Sequence, residues 1–365
     1  MNIKEISENN GFEFVKSFGS GGFGAVAEVM KNGRIFAFKL IKPDKKNVIN
    51  EELVKEFRGR NIVKIIQEKL KETNRKRYYY YVMEPSFIGS LSNFNNYLEA
   101  NLIFKEAFIE KLGDNLMRFM VLQLVNAFRT FYQGNLVHFD IKTDNILIFK
   151  GLELKIIDFS FLRKLESNEK KRIPGGTFGY ITPEYFYKNY AFDDESLRKQ
   201  DYFALGMTIF NLKYAHLKKN IGKKQKNDNI NSSIISEFID IAQNTIESQK
   251  YQDKDFSEFL INLIQFKPKE RLDFESIKRN KWLNKNKQII RKILNINLTD
   301  EDNILIELQK SDFLINNVKY YRKENFDKRY NNEKENKNYK QIRKGKFKFY
   351  KKSIIIKIYL LISFF

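Results

Sequence analysis

Alternating apolar and polar positions mark the chain from Phe12 to about Tyr81. The stretch FEFVKSF alternates as a half-buried strand does, and two apolar runs flank Asn32-Gly33, a dipeptide typical of tight hairpins. The runs IVKII and YYYYVM predict two more strands joined by the polar turn TNRKR, and a short polar helix is predicted over about 48–57. We therefore expect the first part of the chain to be rich in strands.

Helical spacing of apolar residues extends from Asp114 to Tyr132. Similar patterns predict helices over 200–215, 231–247 and 255–266. A strand-rich part followed by a helical part predicts an α+β protein of two lobes.

From about residue 284 the sequence becomes rich in Asn and Lys and low in complexity. Residues 319–352 contain 14 Lys and Arg against 4 Asp and Glu. The last residues, SIIIKIYLLISFF, are apolar but shorter than the roughly 20 residues that a membrane helix needs. Two interpretations remain open, a solvated tail and a weak contact with an anionic membrane or another acidic surface.

The formal net charge is +21, which favours an acidic partner such as nucleic acid, phosphate or an anionic membrane. The lysines are scattered rather than gathered in one stripe, so no specific nucleic-acid site is predicted. Cysteine is absent, which excludes disulfides, thiol catalysis and zinc sites built on cysteine. The N-terminus MNIKEISENN lacks the apolar segment of a signal peptide. We expect an intracellular, cytoplasmic protein, with a nuclear location as the alternative.

Gly19, Gly21 and Gly24 have G-x-G-x-x-G spacing between two predicted strands. A dinucleotide-binding fold would instead begin a helix after these glycines. Glycines in such a loop let backbone N–H groups approach phosphate oxygens, although a plain glycine-rich hairpin gives the same pattern. Lys39, on the following strand, can reach phosphates under the loop, and an exposed strand lysine is the alternative.

The stretch HFDIKTDNIL, residues 138–147, gathers groups that move a proton or hold a cation. Asp140 can accept a hydroxyl proton, Lys142 can neutralise a transferring phosphoryl group, and Asn145 can bind a hard cation. Asp158 follows the apolar run LKII, and a carboxylate just past a buried strand is well placed to hold Mg²⁺.

In order and spacing, these motifs resemble those of a eukaryotic-type protein kinase from about Phe12 to Leu283. The resemblance is carried, in chain order, by Gly19, Gly21, Gly24 and Val26; Ala37, Phe38 and Lys39; His138, Asp140, Lys142 and Asn145; Asp158, Phe159 and Ser160; Gly176, Thr177, Thr182, Pro183 and Glu184; Asp201 to Gly206; and Arg271 with Trp282. It implies a bilobal kinase-like fold with a small strand-rich N-lobe and a larger helical C-lobe. The implied domains are an extension over 1–11, a kinase domain over 12–283 (N-lobe about 12–84, C-lobe about 87–283) and a tail over 284–365.

The resemblance also implies the site and its co-substrate, ATP with Mg²⁺. The implied ATP-binding residues are Gly19, Ser20, Gly21, Gly22, Phe23, Gly24, Val26, Ala37, Lys39, Met83, Glu84, Ser86 and Leu147. Among them, Val26, Ala37 and Leu147 would enclose the adenine ring, Glu84 to Ser86 would offer it backbone hydrogen bonds after the gatekeeper Met83, and Lys39 would hold the phosphates.

Asn145 and Asp158 would hold Mg²⁺, and Asp140 with Lys142 would be catalytic. The implied supporting residues are Glu51, Thr177, Glu184, Asp201 and Arg271. Of these, Glu184 would pair with Arg271, Asp201 would anchor the catalytic loop, and Glu51, or alternatively Glu52, would pair with Lys39.

Besides the uncertain partner of Lys39, the chain departs from the usual kinase pattern at three positions. Ser160 replaces a glycine, Thr182 replaces an alanine, and Phe139 replaces the arginine that normally pairs with a phosphate on the activation segment. The loss of that arginine leaves the catalytic groups in place and removes one mode of control.

Lys142 with Thr143, together with Thr177, follows the serine/threonine pattern of the family. The expected activity is therefore transfer of the γ-phosphoryl group of ATP to a protein serine or threonine. The alternative is a pseudokinase that binds nucleotide and acts as a scaffold. Retention of Lys39, Asp140, Asn145 and Asp158 favours the active enzyme, because phosphoryl transfer needs all four.

Overall fold

The computed structural model describes most of the chain up to residue 285. The described residues are 2–21, 24–41, 59–73, 76–86, 89–93, 102–149, 153–165, 171–187, 189–214, 232–248 and 253–285. The predicted helix over 48–57, the candidate residues Gly22, Phe23, Glu51 and Glu52, and the tail lie outside these ranges.

A five-stranded antiparallel sheet forms the first lobe. Its strands are β1 (Glu13–Gly21), β2 (Gly24–Lys31), β3 (Arg34–Ile41), β4 (Ile65–Thr73) and β5 (Lys76–Met83), in the spatial order β1-β2-β3-β5-β4. The predicted turn at Asn32-Gly33 is confirmed, with φ of 52° and 72° at the two residues. Left-handed backbone at both central positions matches the twist of the flanking strands.

Two sequence predictions about the other strand pair are wrong in detail. Strands β4 and β5 extend into the polar run TNRKR, because β4 continues through Thr73 and β5 begins at Lys76. Ile62 and Val63 do not belong to β4, since they bond to the second lobe at Ile156. A polar run can therefore form strand when both partners pair along their full length.

The four consecutive tyrosines of β5 divide between the two faces of the sheet, as the period of two requires. Tyr79 and Tyr81 join the core shared with the second lobe, and Tyr78 and Tyr80 join a separate cluster on the other face. Helix α1 (Ile3–Glu8) contributes buried Ile3 and Ile6 to that cluster. The N-terminal segment therefore packs against the first lobe.

The second lobe is helical, as predicted. Its helices are α2 (Leu102–Gln133), α3 (Asp194–Tyr214), α4 (Ser232–Ser248), α5 (Lys254–Leu263), α6 (Phe274–Arg279) and α7 (Lys281–Asn284). Helix α2 begins earlier than the predicted start at Asp114. Trp282 of α7 is fully buried, stacks on Phe259 and accepts a 2.7 Å hydrogen bond from Arg118 Nε at its carbonyl oxygen.

Two small sheets carry the loops that hold the candidate residues. One contains β6 (Gly89–Ser90), β8 (Ile146–Ile148) and β9 (Leu154–Ile156), and the other pairs β7 (Leu136–Val137) with β10 (Arg163–Lys164). Residues 138–145 run from β7 to β8, and Asp158 follows β9. The two-lobed α+β prediction is confirmed. In the part of the chain that the structure describes, no helix has the length and apolar character needed to cross a membrane.

Candidate functional site

Asp140 lies at the centre of a closed set of side-chain contacts. Lys142 Nζ donates to Asp140 Oδ2 at 2.8 Å and to Thr177 Oγ1 at 2.7 Å, and Thr177 Oγ1 donates to Asp140 Oδ1 at 2.6 Å. The carboxylate of Asp140 is buried, with 4% of the residue exposed. Lys142 and Thr177 therefore each orient one oxygen of the carboxylate, and the predicted residues Asp140, Lys142 and Thr177 come together.

Asn145 is turned toward Asp140 by two hydrogen bonds from its amide nitrogen. Nδ2 donates to the carbonyl oxygen of Asp140 at 2.9 Å and to its Oδ2 at 2.8 Å. Because both N–H groups point at Asp140, the Oδ1 of Asn145 is the atom left to bind a cation. A side-chain amide oxygen is a suitable ligand for a hard cation such as Mg²⁺.

Asp158 and Lys39 form an ion pair of 2.6 Å between Oδ1 and Nζ, although they are far apart in sequence. Ser160 Oγ donates to the same Oδ1 at 2.6 Å. Burial alone would raise the pKa of Asp158, but the Lys39 ammonium and the hydrogen bonds from Lys39 and Ser160 outweigh it and lower that pKa. Asp158 is therefore ionised at neutral pH, as a metal ligand must be.

Ser160 replaces the usual glycine without backbone strain. Among the described non-glycine residues, positive φ occurs at Asn32, Asn135, Phe139 and Asp158, and Ser160 instead lies in a 3-10 turn over Phe159–Phe161. A side chain is tolerated at position 160 because no left-handed conformation is required there. The hydroxyl is used to orient the neighbouring carboxylate.

The oxygen ligands fit Mg²⁺ bound together with a phosphate. Within the described ranges, no group of three or more His, Cys, Asp or Glu side chains could hold a metal by itself. Mg²⁺ is usually held by one or two carboxylates together with substrate phosphates and water, rather than by a cage of protein ligands. One buried carboxylate, Asp158, with one amide oxygen, Asn145, suits that kind of site.

Asp201 of α3 fixes the backbone that precedes Asp140. Its two oxygens accept hydrogen bonds from the N–H groups of His138 at 2.7 Å and Phe139 at 2.8 Å. Burial raises the pKa of Asp201 to about 7, although the two backbone donors oppose this shift. Phe139 is held at φ 64° with 2% of the residue exposed, so this substitution for arginine fills the core.

His138 completes the support of this loop as a neutral ring. Burial lowers the pKa of His138, although the nearby carboxylates of Asp140 and Asp158 oppose this shift. Its Nε2 lies 3.1 Å from the carbonyl oxygen of Ile157, and its Nδ1 accepts from the N–H of Asp140 at 3.2 Å. Only a proton on Nε2 satisfies both contacts, because a carbonyl oxygen can only accept.

Gly24 begins β2 of the first lobe, and the three apolar residues predicted to enclose the adenine ring come from both lobes. Gly24 has φ 150°, and a Cβ at this position would lie 2.0 Å from the carbonyl oxygen of Leu40, so glycine is required there. Val26 and Leu147 are half-buried, Ala37 is buried, and all three belong to one apolar cluster. Phe18, directly before Gly19, is an aromatic side chain that is 52% exposed.

The linker that follows β5 is tied to both lobes. Met83 is buried, and Glu84 Oε1 accepts from the N–H of Lys64 and from Lys155 Nζ, each at 2.8 Å. Ser86 Oγ donates to the carbonyl oxygen of Ile148 at 2.8 Å. The pairing of Lys155 with Glu84 could not be predicted from the sequence, because the two residues lie far apart in the chain.

Glu184 and Arg271 form a buried, two-pronged ion pair. Nη1 lies 2.5 Å from Oε1 and Nη2 lies 2.9 Å from Oε2, and the two side chains are 1% and 0% exposed. Arg271 also donates to the carbonyl oxygens of Gln265 and Phe266 at 2.7 Å each. The predicted pairing is therefore present in the structure, and Nε and Nη2 of the guanidinium also donate to backbone carbonyl oxygens.

Thr182, which replaces an alanine of the usual pattern, has a partner that the sequence did not reveal. Its N–H and Oγ1 donate to Gln200 Oε1 at 3.1 and 2.6 Å, and Gln200 Nε2 donates to the carbonyl oxygen of Tyr180 at 3.0 Å. Thr182 and Gln200 are 0% and 1% exposed. The hydroxyl is therefore tolerated in the core because it is hydrogen-bonded.

Comparisons with known proteins agree with this arrangement. The family model described as protein kinase domain matches residues 12–283. An Aurora kinase of Eremothecium gossypii is 25% identical over 285 residues, covering 76% of this chain and 70% of the relative. An Aurora kinase of Schizosaccharomyces pombe is 26% identical over 278 residues, covering 76% and 72%. A PR5-like receptor kinase of Arabidopsis thaliana is 32% identical over 233 residues, covering 60% of this chain and 32% of the relative.

Proposed function

Because the chain belongs to the protein kinase domain family, we propose that it is an active serine/threonine protein kinase. In this proposal the γ-phosphoryl group of ATP passes to a serine or threonine hydroxyl of a protein substrate. The observation that carries the proposal is that Lys39 pairs with Asp158 and Asn145 bonds to Asp140, while the N–H of Ile157, next to Asp158, donates to the carbonyl oxygen of Asn145 at 2.9 Å.

Each residue has a role that its contacts support. Lys39 neutralises the phosphates of ATP, since its ammonium is buried beside the site and already pairs with a carboxylate. Asp140 orients the acceptor hydroxyl and takes its proton, and Lys142 offsets charge on the transferring group. Asp158 and Asn145 hold Mg²⁺, which supplies electrostatic stabilisation of the phosphates when bound.

The apolar pocket and the glycine loop complete the nucleotide site. Val26, Ala37 and Leu147 contact the adenine ring, and the linker from Glu84 to Ser86 offers its backbone groups to the base. Phe18, an exposed aromatic side chain directly before Gly19, also contacts the adenine ring in this proposal.

Preference for serine or threonine is supported by the position of Thr177. This hydroxyl contacts both Asp140 and Lys142, so the acceptor would enter beside it. We further propose that residues 12–283 are the catalytic domain and that helix α1 adds to its first lobe by packing on the sheet.

Purified chain incubated with ATP, Mg²⁺ and a generic acceptor protein is expected to transfer phosphate to serine or threonine. The measurement is incorporation of label from γ-labelled ATP, followed by phosphoamino-acid analysis of the acceptor. The Asp140→Asn protein serves as control for a contaminating kinase and should give no signal. Nucleotide binding without any transfer would instead support the pseudokinase alternative, and phosphotyrosine would contradict the proposed acceptor.

Activity is expected not to depend on phosphorylation of the activation segment. Phe139 lies in the core and offers no charge to pair with a phosphate. On either side of residues 166–170, the chain forms a contact that does not involve a phosphate. Asn135 accepts from the N–H of Leu165 at 2.8 Å through its carbonyl oxygen, and Lys171 pairs with Asp194 at 2.8 Å. Position 139 therefore offers no partner through which an added phosphate could order the activation segment.

Phosphatase-treated wild type and the Ser167→Ala protein should both keep most of their activity. Ser167 lies outside the described residues, and it is the acceptor left once Ser160, Thr177 and Thr182 are engaged in hydrogen bonds. The measurement is the initial rate at saturating ATP before and after treatment. A fall of more than about tenfold, or about 1.4 kcal/mol, would contradict this prediction.

A further inference from the structure

The linker between the lobes is fixed by an ion pair that has no assigned role. Glu84 is the first residue after β5, and Lys155 lies on β9 of the second lobe. Their charged atoms, Glu84 Oε1 and Lys155 Nζ, are 2.8 Å apart, and the side chains are only 24% and 13% exposed. This pair therefore joins the two lobes directly at the point where the chain passes between them.

The same carboxylate oxygen also binds the first lobe. The N–H of Lys64 donates to Glu84 Oε1 at 2.8 Å, and the N–H of Glu84 donates to the carbonyl oxygen of Lys64 at 3.3 Å. Glu84 is thus bonded to the residue before β4 through both its backbone and its side chain. Rotation of the Glu84 side chain would break both contacts of Oε1, with the N–H of Lys64 and with Lys155, at the same time.

Lys155 lies beside Leu147, one of the residues proposed to contact the adenine ring. In the register of β8 and β9, Lys155 lies directly opposite Leu147, so the two side chains emerge on the same face of the sheet. Its ammonium also lies over the ring of Phe149, at 4.7 Å from the centroid. The Lys155 ammonium therefore lies between an aromatic ring, the carboxylate of the linker at 2.8 Å and the carboxylate of Glu153 at 3.6 Å.

We infer that Lys155 is a positioning residue for the nucleotide, which acts by holding Glu84 and hence the linker backbone in its binding conformation. The inference rests on the proposed function, because the linker is taken to meet the adenine base. A linker that is fixed before the ligand arrives loses less conformational freedom on binding. Without Lys155, the carboxylate of Glu84 loses its cation, and the linker is held by fewer contacts, namely the hydrogen bonds with Lys64 and from Ser86 to Ile148.

The test compares adenosine with ATP, because adenosine reaches the base pocket and lacks phosphates. Lys155→Met, which keeps the length of the side chain and removes the charge, should weaken both ligands by the same factor of about tenfold. Lys39→Met should weaken ATP alone. The measurement is the Kd by isothermal titration calorimetry, with adenosine and with ATP in the presence of Mg²⁺, so phosphoryl transfer is not needed as a readout.

Three further variants separate positioning from a merely structural effect. Lys155→Arg keeps the cation and should recover most of the affinity. Glu84→Gln should weaken adenosine to a similar extent, and the double variant with Lys155→Met should be no weaker than either single variant, because the two residues act as one pair. Lys278→Met is the matched control, since Lys278 forms a 2.8 Å ion pair with Glu275 on the surface of α6 and is 35% exposed.

In steady-state kinetics, Lys155→Met should raise the KM for ATP and leave kcat within about twofold of wild type. A fall in melting temperature with unchanged adenosine affinity would overturn the inference and leave Lys155 a structural residue. Additive losses in the double variant would also overturn it. Failure of the proposed function would look different, because wild type would then bind adenosine and ATP without transferring phosphate.

Discussion

Lys39→Met, Asp140→Asn and Asp158→Ala are each expected to abolish measurable phosphoryl transfer while the protein stays folded. Loss of a general base alone lowers a rate by roughly 10²–10⁴-fold, which sets the scale for Asp140→Asn. Lys39→Met removes the cation from the phosphate site, and Asp158→Ala removes the carboxylate of the metal site. All three changes act on charge beside the reacting groups, where few protein atoms can replace it.

The three variants should differ in how they fail. Asp140→Asn keeps the shape of a side chain that receives hydrogen bonds from Lys142 and Thr177, so ATP affinity should remain and kcat alone should fall. Lys39→Met and Asp158→Ala should weaken ATP in the presence of Mg²⁺ as well. The measurements are kcat, the KM for ATP and the Kd for ATP.

Lys278→Met is a suitable control for loss of one lysine charge. Lys278 pairs with Glu275 at 2.8 Å on the surface of α6, with the side chains 35% and 46% exposed. Exposed pairs of this kind contribute about 0–1 kcal/mol, so activity should not change. Near-normal turnover in any of the three site variants would show that the role given to that residue is wrong. Circular dichroism and the denaturant midpoint identify a variant that has lost its fold, and Asp158→Asn then replaces Asp158→Ala as the more conservative change.

The parts of the site that sequence predicts are those encoded within short segments. Asp140, Lys142 and Asn145 lie within one run of six residues, so their spacing alone places them together. The Asn32-Gly33 turn is of the same kind, since the left-handed backbone it needs is a property of the two residues themselves. Features of this kind, which depend only on neighbouring residues, can be predicted from the sequence without knowledge of the fold.

Contacts between distant segments could be predicted only where the resemblance to the kinase family names both partners. Glu184 and Arg271 could be paired by resemblance, whereas the hydrogen bonds between Thr182 and Gln200 could not, because both residues depart from or lie outside the usual motifs. Lys155 was missed for the same reason. A buried polar side chain needs a partner, but the sequence does not say which of many polar residues supplies it.

The ends of β4 and β5 and the N-terminal helix α1 were not predicted from the sequence, because contacts with the rest of the fold determine them. The run TNRKR has the composition of a turn, yet β4 and β5 pair into it from both sides. Ile3 and Ile6 are only two apolar residues in a polar stretch, which is too short a pattern to predict a helix docked on a sheet. In both cases tertiary contacts override a weak local preference.

Arg271→Met is expected to destabilise the protein by about 3–5 kcal/mol, the usual result of removing one partner from a buried ion pair. The change leaves the Glu184 carboxylate 1% exposed with no cation beside it. It also removes the donors to the carbonyl oxygens of Gln265 and Phe266. The measurement is the free energy of unfolding from denaturant titration of wild type and variant, with the m-value checked for constancy.

Arg271→Lys tests whether geometry or charge alone is required. Lysine keeps the positive charge but cannot donate two parallel hydrogen bonds to one carboxylate, nor reach two carbonyl oxygens at the same time. We therefore expect it to recover only a minor part of the lost stability. The double variant Arg271→Met with Glu184→Gln should be more stable than Arg271→Met alone, because the unpaired buried charge is gone. A loss below about 1 kcal/mol for Arg271→Met, the range of an exposed pair, would contradict the structural role given to this contact.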